Sequence, residues 1–315
     1  MTNIYYSIFL LTIDCICIPF CLMMTIFIGW SIKKTNVEFY TPFYVQLFLN
    51  SCCELIFFAF EYFLIRIPLF GFADDWYNSQ KHLPGAIHGF AWYVYIVICI
   101  GQCNLMLNRF IVLKNPASNS SMSTFKSSLC LITFQFIFPI FMIFMPINCN
   151  LRSYYVNNNK TLVVEVEDQK ISNFFLTVGS IVGIIICLFC ITFGSWNIFL
   201  LKKIQNSKKY YEKRLKKEKP LLLSVCLQTV NFIVLTTAEI LQYFAGKFNL
   251  DRLYAFTIYM YPLSEDMLCL LHPIILYITC HSLRKKFLNF WFRGLYKKIR
   301  GKKIAPLSDI KPMYH

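Results

Sequence analysis

The sequence lacks the groupings that most enzymes need. Its five histidines, His82, His88, His272, His281 and His315, form no HxxHH or HExxH cluster, so the ligand sets of membrane desaturases, elongases and zinc proteases are missing. There is no Gly-x-Ser-x-Gly elbow, no glycine-rich phosphate loop, no internal repeat and no low-complexity segment. The 14 cysteines make no paired set of CxxC motifs and no metal spacing with histidine; most lie in apolar runs, where cysteine acts as a small packing residue. Neither a metal nor a cofactor is expected. Charge is also scarce: 15% of the 315 residues are charged and 57% are hydrophobic, with a mean hydropathy of +0.52. A soluble domain cannot hide that much apolar surface, so the bilayer is the solvent.

What is present is a series of seven apolar runs, each long enough to cross about 30 Å of hydrocarbon with roughly 20 residues. They are Ile4 to Ile32, Thr41 to Ile65, Ile87 to Leu113, Ser127 to Ile147, Ser172 to Leu201, Pro220 to Ala245 and Ala255 to Cys280. The first is too long for the apolar region of a signal peptide, lacks a basic leader and ends in Lys33-Lys34, which reads as an uncleaved anchor. No lysine occurs in the seventh, which removes the Schiff-base site of a retinal protein.

The net charge of +15 would suggest nucleic acid in a soluble protein, but its distribution points to the membrane instead. With the N-terminus outside, 24 of the 31 Lys and Arg fall in inner connections and 7 in outer ones. The positive-inside rule then sets the N-terminus outside and the C-terminus in the cytosol. Asn159-Lys160-Thr161 is an outer sequon, hence a candidate glycosylation site at Asn159, between two β-prone runs that read as a hairpin, Leu151 to Val156 and Thr161 to Val166. A second sequon, Asn119-Ser120-Ser121, falls inside and should stay unmodified.

The expected fold is therefore an all-α membrane protein, a seven-transmembrane helix bundle at residues 1–280 with a cytosolic tail at 281–315. In the tail, Leu283, Phe287, Trp291 and Leu295 recur every four residues among Arg284, Lys285, Lys286, Arg293, Lys297 and Lys298. That pattern suits an amphipathic basic helix in the membrane interface, with lipid as a partner. Neighbouring Cys280 is a weak candidate for palmitoylation. The longest inner connection, Lys202 to Lys219, holds 9 basic and 2 acidic residues; it reads as a lipid-headgroup face, a docking surface for an acidic cytosolic partner, or both. No nucleic-acid partner is expected.

Six acids lie within the runs: Asp14, Glu54, Glu61, Glu239, Glu265 and Asp266. Carboxylates in hydrocarbon are costly, so they face the bundle interior and find partners there. At about 1.5 Å per residue, Asp14 and Asp266 lie roughly 15 Å below their outer helix ends, and Glu54 roughly 20 Å from its inner end. The three are expected to meet at one depth, either as protonated groups hydrogen-bonded to neighbours or as a cation or proton site. Glu61 and Glu239 lie nearer the outer surface, within reach of a ligand amine or of water.

Three stretches carry a family resemblance: Phe39-Tyr40-Thr41-Pro42-Phe43-Tyr44 entering the second run, Leu107-Asn108-Arg109-Phe110 at the inner end of the third, and Tyr261-Pro262-Leu263 with Asp266, Pro273 and Ser282-Leu283-Arg284. In this order the chain resembles a G-protein-coupled receptor, and more specifically the nematode serpentine chemoreceptors of the Srg superfamily, class V ahead of class gamma. The resemblance implies a non-enzymatic receptor in the plasma membrane, with the sensory cilium as a location. Its implied partners are an external small molecule and a heterotrimeric G protein. A gated channel or transporter using the intramembrane carboxylates is the alternative.

Carried over by position, Arg109 resembles the arginine that gates the cytosolic mouth, with Asn108, Phe110, Lys216, Lys217 and Arg284 as further coupling residues. A ligand pocket in the outer half of such a bundle would draw on Trp92, Tyr93, Phe174, Phe175, Glu239, Gln242, Tyr243, Tyr259 and Tyr261. The chain departs from the wider receptor pattern in four places. Asn108 replaces the acidic neighbour of the arginine. No cysteine opens the third run to pair with Cys149. Pro220 stands only at the start of the sixth. His272-Pro273 with Tyr277 is spaced one residue too widely for an Asn-Pro-x-x-Tyr switch.

Overall fold

A computed structural model describes residues 4–34, 39–70, 76, 79, 83–114, 121–144, 151–156, 161–166, 169–206, 212–248 and 250–300. Seven long helices form a bundle and an eighth lies across one end. They are α1 (Ile4–Lys33), α2 (Pro42–Glu61, continued by a π turn at Tyr62–Arg66 and by Ile67–Leu69), α3 (Leu83–Lys114), α4 (Ser121–Ile137, tightened at Phe138–Ile140 and continued to Phe144), α5 (Gln169–Asn206), α6 (Glu212–Lys247), α7 (Asp251–Thr279) and α8 (His281–Arg300). The end bearing the hairpin is called outer here and the end bearing α8 inner. Strands β1 (Leu151–Val156) and β2 (Thr161–Val166) pair antiparallel from Leu151 with Val166 to Val156 with Thr161, as the sequence predicts. The sequons at Asn119 and Asn159 lie outside the described residues.

Without a hydrophobic drive between helices in lipid, the bundle depends on close packing and interhelical hydrogen bonds. Helix α3 is the most enclosed, with 67% of its apolar window buried against 17% in α4, so α3 is the axis and α4 an outer stave. A polar hub joins α2, α3 and α4 at mid-height. The Gln46 amide donates to Gln135 Oε1 (2.6 Å) and Asn50 Oδ1 (3.0 Å), and the Gln135 amide donates to Asn50 Oδ1 and to the Val97 carbonyl (both 3.0 Å). Asn104 adds a bond to Gln135 Oε1 at 3.2 Å. Gly101 makes this approach possible, because a Cβ there would fall on the Asn50 amide and within 2.6 Å of Gln135 Nε2. Farther round, Gln102 donates to the Val225 carbonyl (3.0 Å), Gln228 to that of Leu268 (2.7 Å) and Asn231 to that of Met267 (2.8 Å), which bind α3 to α6 and α6 to α7.

At Cys280 the backbone turns extended and the axis bends by 103° into α8. Leu283 and Phe287 are buried, Phe287 packing 5.7 Å from both Phe20 and Phe27, and Phe290 4.6 Å from Trp30. The bundle-facing edge of α8 is thus Leu283, Phe287 and Phe290, whereas Trp291 is 36% exposed. The strict four-residue stripe of the sequence reading is corrected by one step, because an α-helix repeats at 3.6 residues. Cys280 itself is 5% exposed, which leaves its thiol no room for an acyl chain.

Two further boundaries differ from the sequence reading. Helix α2 continues past Ile65 to Leu69, so Arg66 is a bundle residue and leaves the outer-loop tally. Helix α6 begins at Glu212, which puts Pro220 inside a helix rather than at its start. A proline there lacks the N–H that would bond the carbonyl four residues back, leaving a weak step near the inner end.

Candidate ligand and signalling sites

Near the outer end, one buried guanidinium organises two helices besides its own. Arg66 Nη2 lies 2.5 Å from Asp266 Oδ1 and donates to the Pro262 carbonyl at 3.1 Å, while Nη1 stands 3.8 Å from Asp14 Oδ2. Arg66, Asp14 and Asp266 are all at most 3% exposed. The π turn delivers Arg66 to this place. At about 100° per residue, an uninterrupted α-helix would point it roughly 140° away from Glu61, whereas the wider π turn advances less per residue and swings it back toward α1 and α7.

The expected meeting of Asp14, Glu54 and Asp266 is therefore corrected. Asp14 and Asp266 do meet, through Arg66, but Glu54 pairs lower down with His272 Nδ1 at 3.4 Å. Its own helix explains the separation: Glu54 lies 12 residues below Arg66, or about 18 Å at helical rise.

A second polar group sits beside the first. The carboxyls of Glu61 on α2 and Glu265 on α7 are buried near each other, and Glu239 on α6 accepts a bond from the Tyr95 hydroxyl of α3 at 3.1 Å. Trp92 stacks on Phe175 with ring centres 5.5 Å apart, and its indole N–H donates to His88 Nε2 at 3.1 Å. A Cβ on Gly179 would strike the Trp92 ring at 2.6 Å, so α5 needs a glycine to pass that ring.

Of the ligand candidates, Trp92, Phe175, Glu239 and Tyr261 come together on the inward faces of α3, α5, α6 and α7, and Tyr261 is packed against the core. The others are dispersed. Tyr93 turns to α4 and donates to the Phe136 carbonyl at 3.0 Å. Tyr259 packs edge-on against Tyr6 of α1, whose hydroxyl donates to the Tyr259 carbonyl. Phe174 is 39% exposed. Tyr243 packs on Phe244, and Gln242 is half-buried.

At the inner end, Arg109 is 4% exposed and is held from three sides. Its Nη1 is ion-paired with Glu218 of α6, its guanidinium lies 3.8 Å from the centre of the Phe43 ring of α2, and Nη2 donates to Asn108 Oδ1 at 3.3 Å. Asn108 in turn reaches Ser128 of α4 at 3.4 Å, and Phe110 packs edge-on against Phe193 and Trp196 of α5, both at 5.3 Å. Arg284 caps the last turn of α7 through the Ile278 carbonyl at 3.1 Å. Lys216 and Lys217 belong to the first turns of α6, and their side chains lie outside the described residues. Sequence reasoning missed Glu218 because it stands within a basic loop-like run, where only the extension of α6 to Glu212 shows that it faces α3.

Seven membrane helices, a short helix folded back at the inner end and an arginine closing the inner mouth define a multi-pass membrane protein of the serpentine receptor class. Residues 9–292 match the family model of the serpentine type 7TM GPCR chemoreceptor Srv, and the chain belongs to that family. The family is one of receptors, not enzymes. No curated protein matches the chain. Among the described residues no three His, Cys, Asp or Glu side chains are grouped to hold a metal ion.

Proposed function

We propose that this chain is a chemosensory receptor of the plasma membrane. It binds an external small molecule in the outer half of its bundle and signals to a heterotrimeric G protein at the cytosolic face. The N-terminus lies outside, residues 1–280 form the receptor domain and 281–315 a cytosolic tail, with Asn159 glycosylated. Among serpentine chemoreceptors the quoted motifs favour the Srg superfamily, class V ahead of class gamma, and with it a nematode source and a ciliary location.

The observation that carries this reading is the arrangement around Arg109. The neighbouring acid that holds this arginine in the wider receptor pattern is absent, but Glu218 replaces it from α6 and Phe43 braces it from α2. A charge-assisted contact between α3 and α6 keeps the inner mouth shut; its rupture frees Arg109 for a partner and α6 to swing at Pro220. A ligand that binds the open arrangement more tightly shifts the population toward it. Trp92, Phe175, Glu239 and Tyr261 are the contacts best placed for that ligand.

The carboxylates give the channel or transporter alternative little support, because four of the six are tied to a neighbour: Asp14 and Asp266 to Arg66, Glu54 to His272, and Glu239 to Tyr95. The test is a chemical screen on cells expressing the receptor, read as G-protein activation. Arg109→Ala should abolish the response at unchanged surface level, and a full response in that variant would remove the coupling role.

A further inference from the structure

The outer half of the bundle holds more buried carboxyls than cations to match them. Asp14, Glu61, Glu239, Glu265 and Asp266 are all at most 8% exposed, and the buried cation among them is Arg66. Its Nη2 is committed to Asp266 and the Pro262 carbonyl, and its Nη1 faces Asp14 at 3.8 Å. Among the described residues no Lys, Arg or His forms an ion pair with Glu61, Glu239 or Glu265. Ionisable groups at membrane depth without a counter-charge from the protein mark a place where one arrives from outside.

Glu239 has the surroundings to receive it. Its Oε2 accepts the Tyr95 hydroxyl at 3.1 Å, which orients the carboxyl from α3. The position that a Cβ of Gly179 would take lies 2.6 Å from the Trp92 ring and 3.9 Å from the same Oε2, so the indole and the carboxyl are neighbours. Trp92 meets Tyr95 edge-on at 5.7 Å and stacks on Phe175 at 5.5 Å. The imidazole beside it supplies no positive charge: His88 Nε2 accepts the indole N–H at 3.1 Å, so that nitrogen carries no proton. On α7, Tyr261 and Glu265 are four residues apart and share a face, and Glu265 Oε1 is buried without a hydrogen bond. A carboxylate set among aromatic rings suits an ammonium, whose charge pairs with the acid while its N–H or N–CH3 groups lie against the rings. An anionic ligand would instead face five acids and an arginine already engaged.

We propose that the external ligand is a small organic cation, an ammonium on an apolar or aromatic body, and that Glu239 pairs with it while Trp92 and Tyr95 flank the charge. The assignment rests on the ligand site proposed above and adds the chemistry of its occupant.

The test reads binding without a G protein, as ligand-dependent thermal stabilisation of the full chain in lipid nanodiscs. The probes are matched triplets that share a body and differ in one terminal group: phenethylamine, phenethyl alcohol and phenylacetate, with hexylamine, hexanol and hexanoate beside them. The amines should stabilise the wild type saturably, and the alcohols and acids should bind roughly tenfold more weakly or less. Glu239→Gln keeps an acceptor for Tyr95 and removes the charge, so amine binding should weaken roughly 30-fold or more. Trp92→Leu removes the ring face and should weaken it about fivefold, which serves where the first variant fails to fold. No amine binding to the wild type, alcohols or acids binding as tightly as amines, or full amine affinity in either variant overturns the proposal. A receptor that prefers the alcohols or acids and activates a G protein keeps the receptor reading and loses the cation. An amine that binds through Glu239 and activates no G protein supports the cation site and removes the coupling.

Discussion

Glu218→Gln is the sharpest perturbation of the inner mouth, since it keeps the side-chain shape and removes one charge. The Arg109 side chain is 5% exposed and that of Glu218 16%, so the pair lies between two limits. A fully exposed pair contributes about 0–1 kcal/mol, whereas removing one partner of a fully buried pair costs about 3–5 kcal/mol. Glutamine still accepts a weaker bond from the guanidinium, and the Phe43 ring at 3.8 Å retains about 1 kcal/mol of cation–π attraction. A loss of about 2 kcal/mol is therefore expected, which shifts the closed-to-open ratio roughly 30-fold. The assay has two arms: basal nucleotide exchange on a purified G protein by receptor in nanodiscs, and the distance between spin labels on the inner ends of α3 and α6. The variant should raise the first and lengthen the second. In a double-mutant cycle, Arg109→Ala should add less to the distance once Glu218 is neutral than it does in the wild type. Unchanged basal exchange together with an unchanged distance distribution, at equal amounts of folded receptor, would refute the lock.

Three further outcomes are expected. Arg66→Leu leaves Asp14 and Asp266 facing each other without a cation and should cost about 3–5 kcal/mol, read as loss of surface receptor; adding Asp14→Asn and Asp266→Asn should recover much of it. Gly101→Ala pushes a methyl into the Asn50–Gln135 contact and should destabilise the bundle by about 1–3 kcal/mol, whereas Gly246→Ala, which meets nothing within 4 Å, should be neutral or stabilising by up to about 1 kcal/mol, both measured by thermal unfolding. Asn159→Gln should remove a glycosidase-sensitive mass shift that Asn119→Gln leaves in place, and the opposite pattern would invert the topology.

The parts of this molecule legible in the sequence were those set by composition and period. Apolar length located the helices, and strict β-propensity around Asn157 to Lys160 located the hairpin to the residue. The existence of buried acids was legible too, because hydrocarbon makes them conspicuous. Their partners were not. Arg66 sits near the end of an apolar run, where an arginine reads as an interface anchor, and only a π turn, which leaves no periodic signature, turns it inward. Glu54 and His272 are 218 residues apart in the chain, a pairing that local pattern cannot register. Glu218 was hidden by its basic neighbours, since charge counting treats a loop as a sum and ignores which residue of an extending helix faces inward.

Helix α2 explains how the outer and inner sites can act on one another. At 100° per residue, Phe43, Asn50, Glu54 and Glu61 fall within about 20° of one line, and Gln46 lies roughly 60° to one side. That single face stacks on Arg109 at the bottom, forms the hub with Gln135 at mid-height, pairs with His272 above it and meets Glu265 near the top. Eighteen residues separate its ends, a span of about 27 Å at helical rise, and α2 has no internal proline or glycine between them. A rotation imposed near Glu61 is therefore carried to Phe43 as a turn of one stiff rod, which would withdraw the ring that braces Arg109. The coupling has a physical carrier only if α2 has two positions, and the ion pairs of Arg66 with Asp14 and Asp266 and the lock at Arg109 are the contacts that would define them. Asp266→Asn, which weakens the hold of α7 on Arg66, should then change basal signalling at the inner mouth; equal signalling with and without it, at equal surface level, would show that the two ends move independently.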